Sequence, residues 1–371
     1  MATNNVINNA FADNFTAPNK VSKNLMPAGN FTTNPWQRGT SFAVTTANIY
    51  YADRFRFLPI GVISATFTLT KDADSPTQAE SGVFSTHCAK FACTTAQTVI
   101  AAGDIIYSYF GLEGYDFSTI AQRPFTLSFW VKGNLTGTYC VSFRNGGTDR
   151  SYVAEYTINA ANTWEYKTIT VSASPSAGTW NYSSSAGLFV SFALSCGSTF
   201  QTTANTWQTG NFYTTTNQVN FASSNTNTIQ FALMQLEAGT IATPFEMQTA
   251  QQVLSYCQRY FNMTFNQGVV PAQASGSLLG ALQYRVRRGG VVTFDGTFYR
   301  LATRMRTTPT YTAYNPISAA STFYNVTNAA NSGVSSIGNG GGLGASYRCT
   351  QTVTDLAGNL LAIHATAQAE L

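Results

Sequence analysis

The sequence predicts an all-β protein: a jelly-roll β-sandwich, followed by a short linker helix and a smaller C-terminal β domain. Aromatic residues make up 13% of the 371-residue chain and charged residues only 10%. Thr, Ser, Asn and Gly are abundant, and β-branched and aromatic side chains suit a pleated sheet. Strand-length runs of alternating apolar and polar residues recur between turn residues. The chain is long enough for two or three domains with separate cores.

Residues 1–23 form a polar, Asn-rich arm without periodicity. Such a segment buries too little apolar surface to offset the cost of ordering. It also lacks the apolar core of a signal peptide, so we expect no secretory targeting. No run of about 18 apolar residues occurs in the chain, so we expect no membrane insertion. Two interpretations of the arm stay open: a disordered tail, or an attachment segment that becomes ordered on a partner.

Residues 24–246 contain the strands of the predicted sandwich. Apolar and polar residues alternate in TLSFWVKG, and Trp130 is expected in the core because it lies inside this regular strand. The runs TYCVSFRNGG and SYVAEYTI predict a hairpin, since Asn145-Gly146-Gly147 supplies the turn. Further strands are expected in EYKTITV, GLFVSFALS and NTIQFALMQLE. Many short strands with long crossing loops indicate a jelly roll.

Residues 247–262 predict a linker helix, because apolar residues recur there at helical spacing among good helix formers. Residues 263–371 return to strand patterns and form the predicted C-terminal domain. Asp295-Gly296 is expected to be a tight hairpin turn, and the glycine-rich segment 339–344 a flexible tip. The chain finishes in the apolar strand LAIHATAQAEL.

Charge divides at the helix. Residues 1–258 hold 12 basic and 13 acidic side chains, a net charge of −1, and residues 259–371 hold 8 and 3, a net charge of +5, which together give the formal +4. The guanidinium group binds carboxylates and phosphates bidentately, so clustered arginines predict contact with an anionic partner or a neighbouring subunit. Solvent-exposed strand charges are the alternative. The candidates, several of which are expected to gather on one face, are Arg285, Arg287, Arg288, Arg300, Arg304 and Arg306.

Residues for catalysis, metal binding or disulfide bonding form no recognisable pattern. The 16 carboxylates do not cluster in an enzyme motif, so we expect no enzyme, although a glycosidase can use two carboxylates distant in sequence. His87 and His364 are the only histidines, which predicts no metal site. Six cysteines without a C-x-x-C pair predict buried free thiols. Basic residues confined to one region, without a recognition motif, predict no nucleic-acid binding.

Six segments in order resemble bacteriophage tail-fibre and related virion proteins: NLMPAGNFTTNPWQRGTSF, YYADRFRF, FTLSFWVKG, WEYKTITV, QLEAGTIATPFE and LSYCQRYF. The runs RLATRMRTTPTYTAYNP and LAIHATAQAEL are similar to the C-terminal segment of the same proteins, so the resemblance covers about residues 24–371. It implies a virion surface protein, assembled in the host cytoplasm as a homotrimer, with a carbohydrate-binding-module-like sandwich. The expected partners are a host surface polysaccharide and, through the arm, other virion proteins.

In the resembling proteins the QLE strand closes the sandwich, and the following turn packs back onto it. Pro244 would end strand pairing because it lacks a backbone donor, and Phe245 would supply an apolar contact. Glu237 and Glu246 are expected to find local hydrogen-bond partners rather than a ligand. Jelly-roll modules of this kind often hold a structural calcium near the last strand. Gln235 occupies the position of an acidic ligand, so calcium is in doubt and no cofactor is expected.

A sugar site in a β-sandwich needs an aromatic ring for the apolar face of the sugar and polar groups for its hydroxyls. Candidates are Trp36, Tyr152, Trp180 and Trp207, and the alternative for each is packing against a loop. The leading hypothesis is a non-catalytic fibre or receptor-binding protein. The alternatives are a structural capsid or tail decoration protein without glycan binding, and a glycan-cleaving spike.

Overall fold

The computed structural model describes residues 23–45, 48–286, 293–350 and 358–371, so the predicted arm lies outside it except for Lys23. Two single-turn helices, α1 (Gln78–Ser81) and α2 (Gly114–Phe117), interrupt the strands of the first domain. Those strands are, in chain order, β1 (Ser41–Val44), β2 (Ile49–Ala52), β3 (Phe55–Ile60), β4 (Thr66–Asp72), β5 (Cys88–Thr95), β6 (Ile105–Glu113), β7 (Phe125–Gly133), β8 (Gly137–Asn145), β9 (Arg150–Ile158), β10 (Glu165–Val171), β11 (Ala186–Cys196), β12 (Trp207–Thr209) and β13 (Thr228–Ala238).

These strands form two antiparallel sheets that pack face to face, so the predicted all-β sandwich is confirmed. The six-stranded sheet has the order β1-β4-β5-β13-β7-β10, and the seven-stranded sheet the order β12-β9-β8-β11-β6-β3-β2. Side chains alternate between the two faces of each sheet, and the inward faces share a core rich in phenylalanine. Across the core, the rings of Phe129 and Phe192 meet edge to face with centroids 5.3 Å apart, a favourable aromatic geometry.

The predicted hairpin of β8 and β9 is confirmed. Tyr139 pairs with Tyr156, and both rings are buried in the core. Asn145 orders the turn, because its Oδ1 accepts hydrogen bonds from the backbone N–H groups of Asp149 and Arg150, both at 3.0 Å. Gly146 is required by close packing, since a Cβ there would lie 1.9 Å from the carbonyl oxygen of Ala186.

The linker region contains the predicted helix, α3 (Ala250–Gln258), which is shorter than expected. It begins with a capping box between Thr249 and Gln252. Val253 and Cys257 belong to the sandwich core, so this helix packs on the first domain. Residues 261 and 262, predicted as the end of the helix, belong instead to the strand Phe261–Met263, which pairs with the last strand of the chain.

The C-terminal domain contains a third antiparallel sheet, built around the last strand of the chain. That strand pairs directly with four others of the domain and buries seven consecutive residues. The strands are β14 (Phe261–Met263), β15 (Leu282–Arg285), β16 (Thr293–Arg300), β17 (Thr310–Tyr314), β18 (Thr322–Asn325), β19 (Ala330–Gly341), β20 (Gly344–Thr350) and β21 (Leu360–Gln368).

The turn prediction for Asp295-Gly296 is wrong. Asp295-Gly296 lies inside β16, where the pairing with β20 shifts register between Asp295 and Thr297, so the glycine belongs to a bulge and not to a turn. The segment 339–344 lies at the tip of a hairpin. Gly341 pairs with Gly344, which leaves Gly342-Leu343 as the two-residue connection of a β19–β20 hairpin.

The two domains share a buried ionic contact. Glu370 accepts hydrogen bonds from Arg38 Nη2 at 2.8 Å and Arg54 Nη1 at 3.0 Å. The guanidinium of Arg54 also lies 3.3 Å from the ring centroid of Tyr260, which is a cation–π arrangement. The C-terminal segment is therefore held against the sandwich by charge as well as by packing.

The five cysteines whose side chains are described are free thiols, as predicted. Cys88, Cys93, Cys140 and Cys257 are buried and Cys196 is partly buried, whereas the side chain of Cys349 lies outside the described set. Burial raises the pKa of the Cys88 thiol to about 12. Within the described residues, no helix has the length and apolar character needed to cross a membrane.

Candidate functional site

The outer face of the six-stranded sheet carries aromatic rings that are not part of the main core. Strand β7 buries Phe129 and Val131 on its core side, and Trp130 between them lies on the opposite face. The register of β7 and β10 pairs Trp130 with Tyr166, and directly paired residues share a face. Their ring centroids lie 5.5 Å apart at an interplanar angle of 42°. Tyr166 is 45% exposed, so this ring pair is open to solvent.

A groove of about 520 Å³ lies against these two rings. Leu233 and Phe245 add apolar surface to its lining. Polar residues also line it, among them Ser128 on β7 and Glu80 on α1. Aromatic surface beside a few polar groups in a concavity of this size is typical of a small-molecule or glycan site.

A β-bulge in β13 shapes one wall of the groove. The pairing of β13 with β7 shifts register between Ala232 and Gln235. Leu233, inside the bulge, has a φ of +48°, a strained conformation for a non-glycine residue. Its side chain packs in a cluster with Trp130 and Phe245. Bulges redirect side chains and are frequent beside functional sites, and this one gives the groove its apolar wall.

The segment after β13 is fixed by hydrogen bonds to two side chains of that strand. Glu237 Oε1 accepts from the backbone N–H of Thr243 at 2.9 Å, and Glu237 Oε2 accepts from the Thr243 hydroxyl at 2.6 Å. Gln235 Oε1 accepts from the backbone N–H of Glu246 at 2.8 Å, and Glu246 Oε2 accepts from the backbone N–H of Asn24 at 2.9 Å. The local partners predicted for Glu237 and Glu246 are confirmed. This network holds Phe245 at the groove.

Helix α1 places a negative charge in the groove lining. Thr77 caps the helix, and Glu80 Oε2 accepts hydrogen bonds from both the backbone N–H and the hydroxyl of Thr77, each at 2.7 Å. These hydrogen bonds lower the pKa of Glu80 below its ordinary value. Glu80 is therefore an ionised, solvent-exposed carboxylate at neutral pH.

Next to Trp130 on the same sheet face, a compact polar network is organised around Asp74. Its carboxylate accepts hydrogen bonds from Trp164 Nε1 at 3.1 Å and Gln230 Nε2 at 3.0 Å, and it forms an ion pair with Lys132. Partial burial raises the pKa of Asp74, but the hydrogen bonds from Lys132, Trp164 and Gln230 outweigh burial and leave the pKa lowered. The positive charge of Lys132 is thus balanced within this network.

Two of the predicted sugar-binding aromatics are core residues, which corrects the prediction. Trp36 is 2% exposed, and its indole Nε1 donates to the carbonyl oxygen of Phe31 at 2.9 Å. Tyr152 is 4% exposed and belongs to the buried face of the β8–β9 hairpin. Neither ring has a face available to a ligand.

The other two candidates, Trp180 and Trp207, lie together, with centroids 5.6 Å apart in an edge-to-face arrangement. Trp180 stacks on Phe117 at 5.1 Å. The indole Nε1 of Trp180 donates to Ala177 O at 3.0 Å, and that of Trp207 donates to Ser172 O at 3.1 Å. Because both indoles bind backbone carbonyls of the loop between β10 and β11, these contacts match the alternative of packing against a loop.

Trp130 and Tyr166 were missed as site residues, and Trp130 was assigned to the core. The signal was present in the alternation of TLSFWVKG, because a residue between Phe129 and Val131 must point to the opposite face from them. The presence of a groove on that face could not be read from the strand, because Phe245 and α1, which complete it, are distant in sequence.

Several of the six arginines were predicted to gather on one face; the structure describes four of them, and these four do not all lie together. Arg285 is the last residue of β15 and pairs with the first residue of β21. Arg300 pairs with Gly344 at the β19–β20 turn, which is the opposite end of the sheet. Arg285, Arg300 and Arg304 are exposed. Residues 287–288, the other two arginines of this region, lie outside the described residues.

Arg306 has a role within the chain instead of toward an outside partner. Its Nη1 donates to Ser184 O at 2.7 Å and its Nη2 to Glu370 O at 2.6 Å, and its Nε donates to Ala369 O. All three nitrogens of the guanidinium are therefore used at the contact between the two domains.

The position considered for calcium does not fit the ion. Gln235 offers a neutral amide whose Nε2 donates to Glu237 Oε1 at 2.8 Å and whose Oε1 accepts from Glu246. Calcium favours several carboxylate and carbonyl oxygens, and here the nearby carboxylate of Glu237 is already bonded to Thr243. Among the described side chains, no group of three or more His, Cys, Asp or Glu could hold a metal.

No protein-family model matches the chain, and no curated protein matches it. Among solved structures, it is similar to the enzymatically active domain of tailspike protein 4 of bacteriophage CBA120, with 13% identity and a TM-score of 0.31; the match covers 58% of this chain and 22% of that one. A family 11 carbohydrate-binding module from Clostridium thermocellum, in complex with a mixed-linked tetrasaccharide, is 8% identical with a TM-score of 0.27, covering 55% and 99%. The CBM22-1–CBM22-2 tandem domain of Paenibacillus barcinonensis Xyn10C is 9% identical with a TM-score of 0.26, covering 85% and 86%. All three TM-scores are below 0.5, so these likenesses carry no argument about function.

Proposed function

We propose that the protein binds a glycan in the groove on the outer face of its six-stranded sheet. The observation that carries the proposal is the exposed pair of rings, Trp130 and Tyr166, in a groove of about 520 Å³. A pyranose ring has an apolar face that stacks on an aromatic side chain and a rim of hydroxyls that needs hydrogen-bond partners. Ser128 and Glu80 supply polar atoms in the same lining.

The test compares two tyrosines of equal exposure. Tyr166 and Tyr182 are each 45% exposed, but Tyr182 stacks on Phe117, away from the groove. Tyr166→Ala should weaken binding to the best ligand of a glycan array at least tenfold, which is about 1.4 kcal/mol. Tyr182→Ala should bind as the wild type does. Equal binding by all three proteins would exclude the groove as the glycan site.

We further propose that the chain is a non-catalytic virion surface protein, a fibre or receptor-binding protein of a bacteriophage, in which the groove meets the host polysaccharide. The support is the ordered series of segments that resembles phage virion proteins. In this proposal the arm of residues 1–23 joins the protein to other virion components. Release of reducing sugar from host polysaccharide by the purified protein would contradict the non-catalytic role and favour a glycan-cleaving spike. Normal adsorption by particles whose groove carries Tyr166→Ala would favour a structural decoration protein.

A further inference from the structure

We propose that a second site, in a cleft between the two domains, binds a sugar that carries a carboxylate, with Arg56 as the contact for the negative charge. This inference goes beyond the proposed function and does not depend on it. The cleft shares no lining residue with the groove of Trp130 and Tyr166. Arg56 belongs to the sandwich, so it is also distinct from the C-terminal arginines.

The cleft has a volume of about 440 Å³, and both domains line it. On the sandwich side, Arg56 is directly paired with Tyr50 and with Tyr109, so the three share the outer face of the seven-stranded sheet. The guanidinium of Arg56 lies 5.3 Å from the ring centroid of Tyr50, and its Nε donates to Asn48 Oδ1. Because Tyr50 and Asn48 both line the cleft, the charged end of Arg56 lies there and not only its stem.

The positive charge of Arg56 is not balanced within the described part of the chain. Its Nη1 donates to the neutral hydroxyl of Tyr109 at 2.8 Å, whereas its Nη2 has no hydrogen-bond partner among the described residues. No described carboxylate forms an ion pair with it. Arg38, the other arginine of the lining, is already bonded to Glu370 at 2.8 Å. Arg56 therefore offers a partly buried guanidinium to an anion in a cleft whose described lining has no acidic residue.

The wall that the C-terminal domain supplies carries hydroxyl and amide groups. Ala365 and Ala367 belong to the core of that domain, so Thr366 between them faces the other way, toward the cleft. Thr312 pairs directly with Thr366, and Gln368 follows two residues later on the same face. Within the described residues, none of these three polar side chains forms a hydrogen bond, and Thr312 and Gln368 are exposed. Their donors and acceptors are open to the hydroxyls of a sugar.

A saccharide with a carboxylate matches both walls. A guanidinium binds a carboxylate through charge-assisted hydrogen bonds, and threonine and glutamine side chains both donate to and accept from hydroxyls. Phe42 and Tyr50 add apolar surface for the sugar ring, and the volume of the cleft is within the usual range of small-molecule sites. A neutral sugar would leave the charge of Arg56 unpaired, so it should bind less tightly.

The test measures binding of two disaccharides, cellobiouronate and cellobiose, that differ by one carboxylate. The reference protein is the full chain with Tyr166→Ala, so that binding in the groove does not mask binding in the cleft. It should bind cellobiouronate at least about tenfold more tightly than cellobiose at low salt, because a hydrogen bond to a charged group contributes about 1.5–3 kcal/mol. Salt screens the attraction, so the preference should shrink as salt rises.

Three substitutions in this reference protein locate the site. Arg56→Gln should weaken cellobiouronate binding about tenfold or more, to within about twofold of cellobiose. Thr312→Val keeps a β-branched side chain in the strand and removes one hydroxyl, so it should fold normally and weaken cellobiouronate binding about fivefold. Arg285→Gln is the matched control for charge. Arg285 is exposed, its Nη1 donates to Gly358 O at 2.8 Å and it lies outside the lining, so this change should leave the affinity unaltered.

Equal affinity of the reference protein for the two disaccharides would overturn the inference. The same loss in Arg56→Gln and Arg285→Gln would also overturn it, since that loss would be an effect of net charge. If Arg56→Gln does not fold, Thr312→Val decides, and unchanged binding of cellobiouronate by that variant refutes the cleft as the site. The proposed function fails on a different result, which is binding of the best array ligand by Tyr166→Ala as tightly as by the wild type.

Discussion

Replacing Glu370 by Gln should destabilise the protein by about 3–5 kcal/mol, the usual cost of leaving a buried charge without its partner. Glu370 is 3% exposed at its side chain and holds Arg54, which is 1% exposed, and Arg38, which is 13% exposed. Glutamine has the same shape but no charge. Arg54 would then keep its positive charge away from water, with the carbonyl oxygen of Gly111 and the rings of Phe110, Tyr256 and Tyr260 around it.

Urea unfolding, followed by tryptophan fluorescence, measures this loss. With an m value of about 3 kcal/mol/M, the midpoint should fall by about 1 M or more. Asp72→Asn is the matched control, because the pair of Asp72 with Lys90 is 27% and 33% exposed at its two side chains. An exposed pair contributes less than about 1 kcal/mol, so this midpoint should move by about 0.3 M or less. If Glu370→Gln unfolds at the midpoint of Asp72→Asn, the buried contact does not stabilise the fold as argued.

Three further outcomes are expected. Hydrogen bonds, first from the backbone N–H of Thr179 and then from the side chains of Asn145 and Thr179, lower the pKa of Asp149 to about 2. The stability that these hydrogen bonds give the loop is present above the pKa of an unfolded aspartate and is lost as pH falls from about 4 to 2. The fluorescence emission of Trp180 should therefore change in that pH range. Asp149→Asn should abolish the change, and a change that persists in this variant would assign the transition to another group. Sedimentation at micromolar concentration should give a homotrimer, in line with the phage resemblance, and a stable monomer would contradict it. A chain that begins at Ser22 should fold normally but fail to enter virions, and normal incorporation would remove the proposed role of the arm.

The strands of the sandwich could be predicted because the alternation of apolar and polar residues within each strand reflects which face is buried. In β8 and β9, alternation of buried and outward residues gave the faces correctly, and Asn145-Gly146-Gly147 gave the turn. Prediction of local structure failed where the same residue pair is favourable in two different local structures. Asp295-Gly296 is favourable both for a turn and for a bulge, and only the pairing of β16 with β20 selects the bulge.

The candidate site was less predictable than the fold. Trp36 and Trp180 both lie among polar residues in the sequence. Trp36 is buried, whereas Trp180 is partly exposed and stacks on Phe117. Burial of a loop residue depends on which distant segments cover it. For Trp130 the error is the opposite one. It occupies a regular strand position that predicts burial, yet it lines the groove together with the segment around Phe245.

The sequence by itself determined the class of the protein: two layers of antiparallel strands, a short helix after the sandwich, and an apolar last strand. These features depend on periodicity and turn chemistry, which act over a few residues. Tertiary structure alone decided where the functional surface lies. Glu80, Trp130 and Phe245 line one groove because the sheet order places β7 beside β13, and the segment after β13 folds back to bring Phe245 to this face. Such convergence depends on contacts between residues far apart in the chain, and no local pattern encodes it.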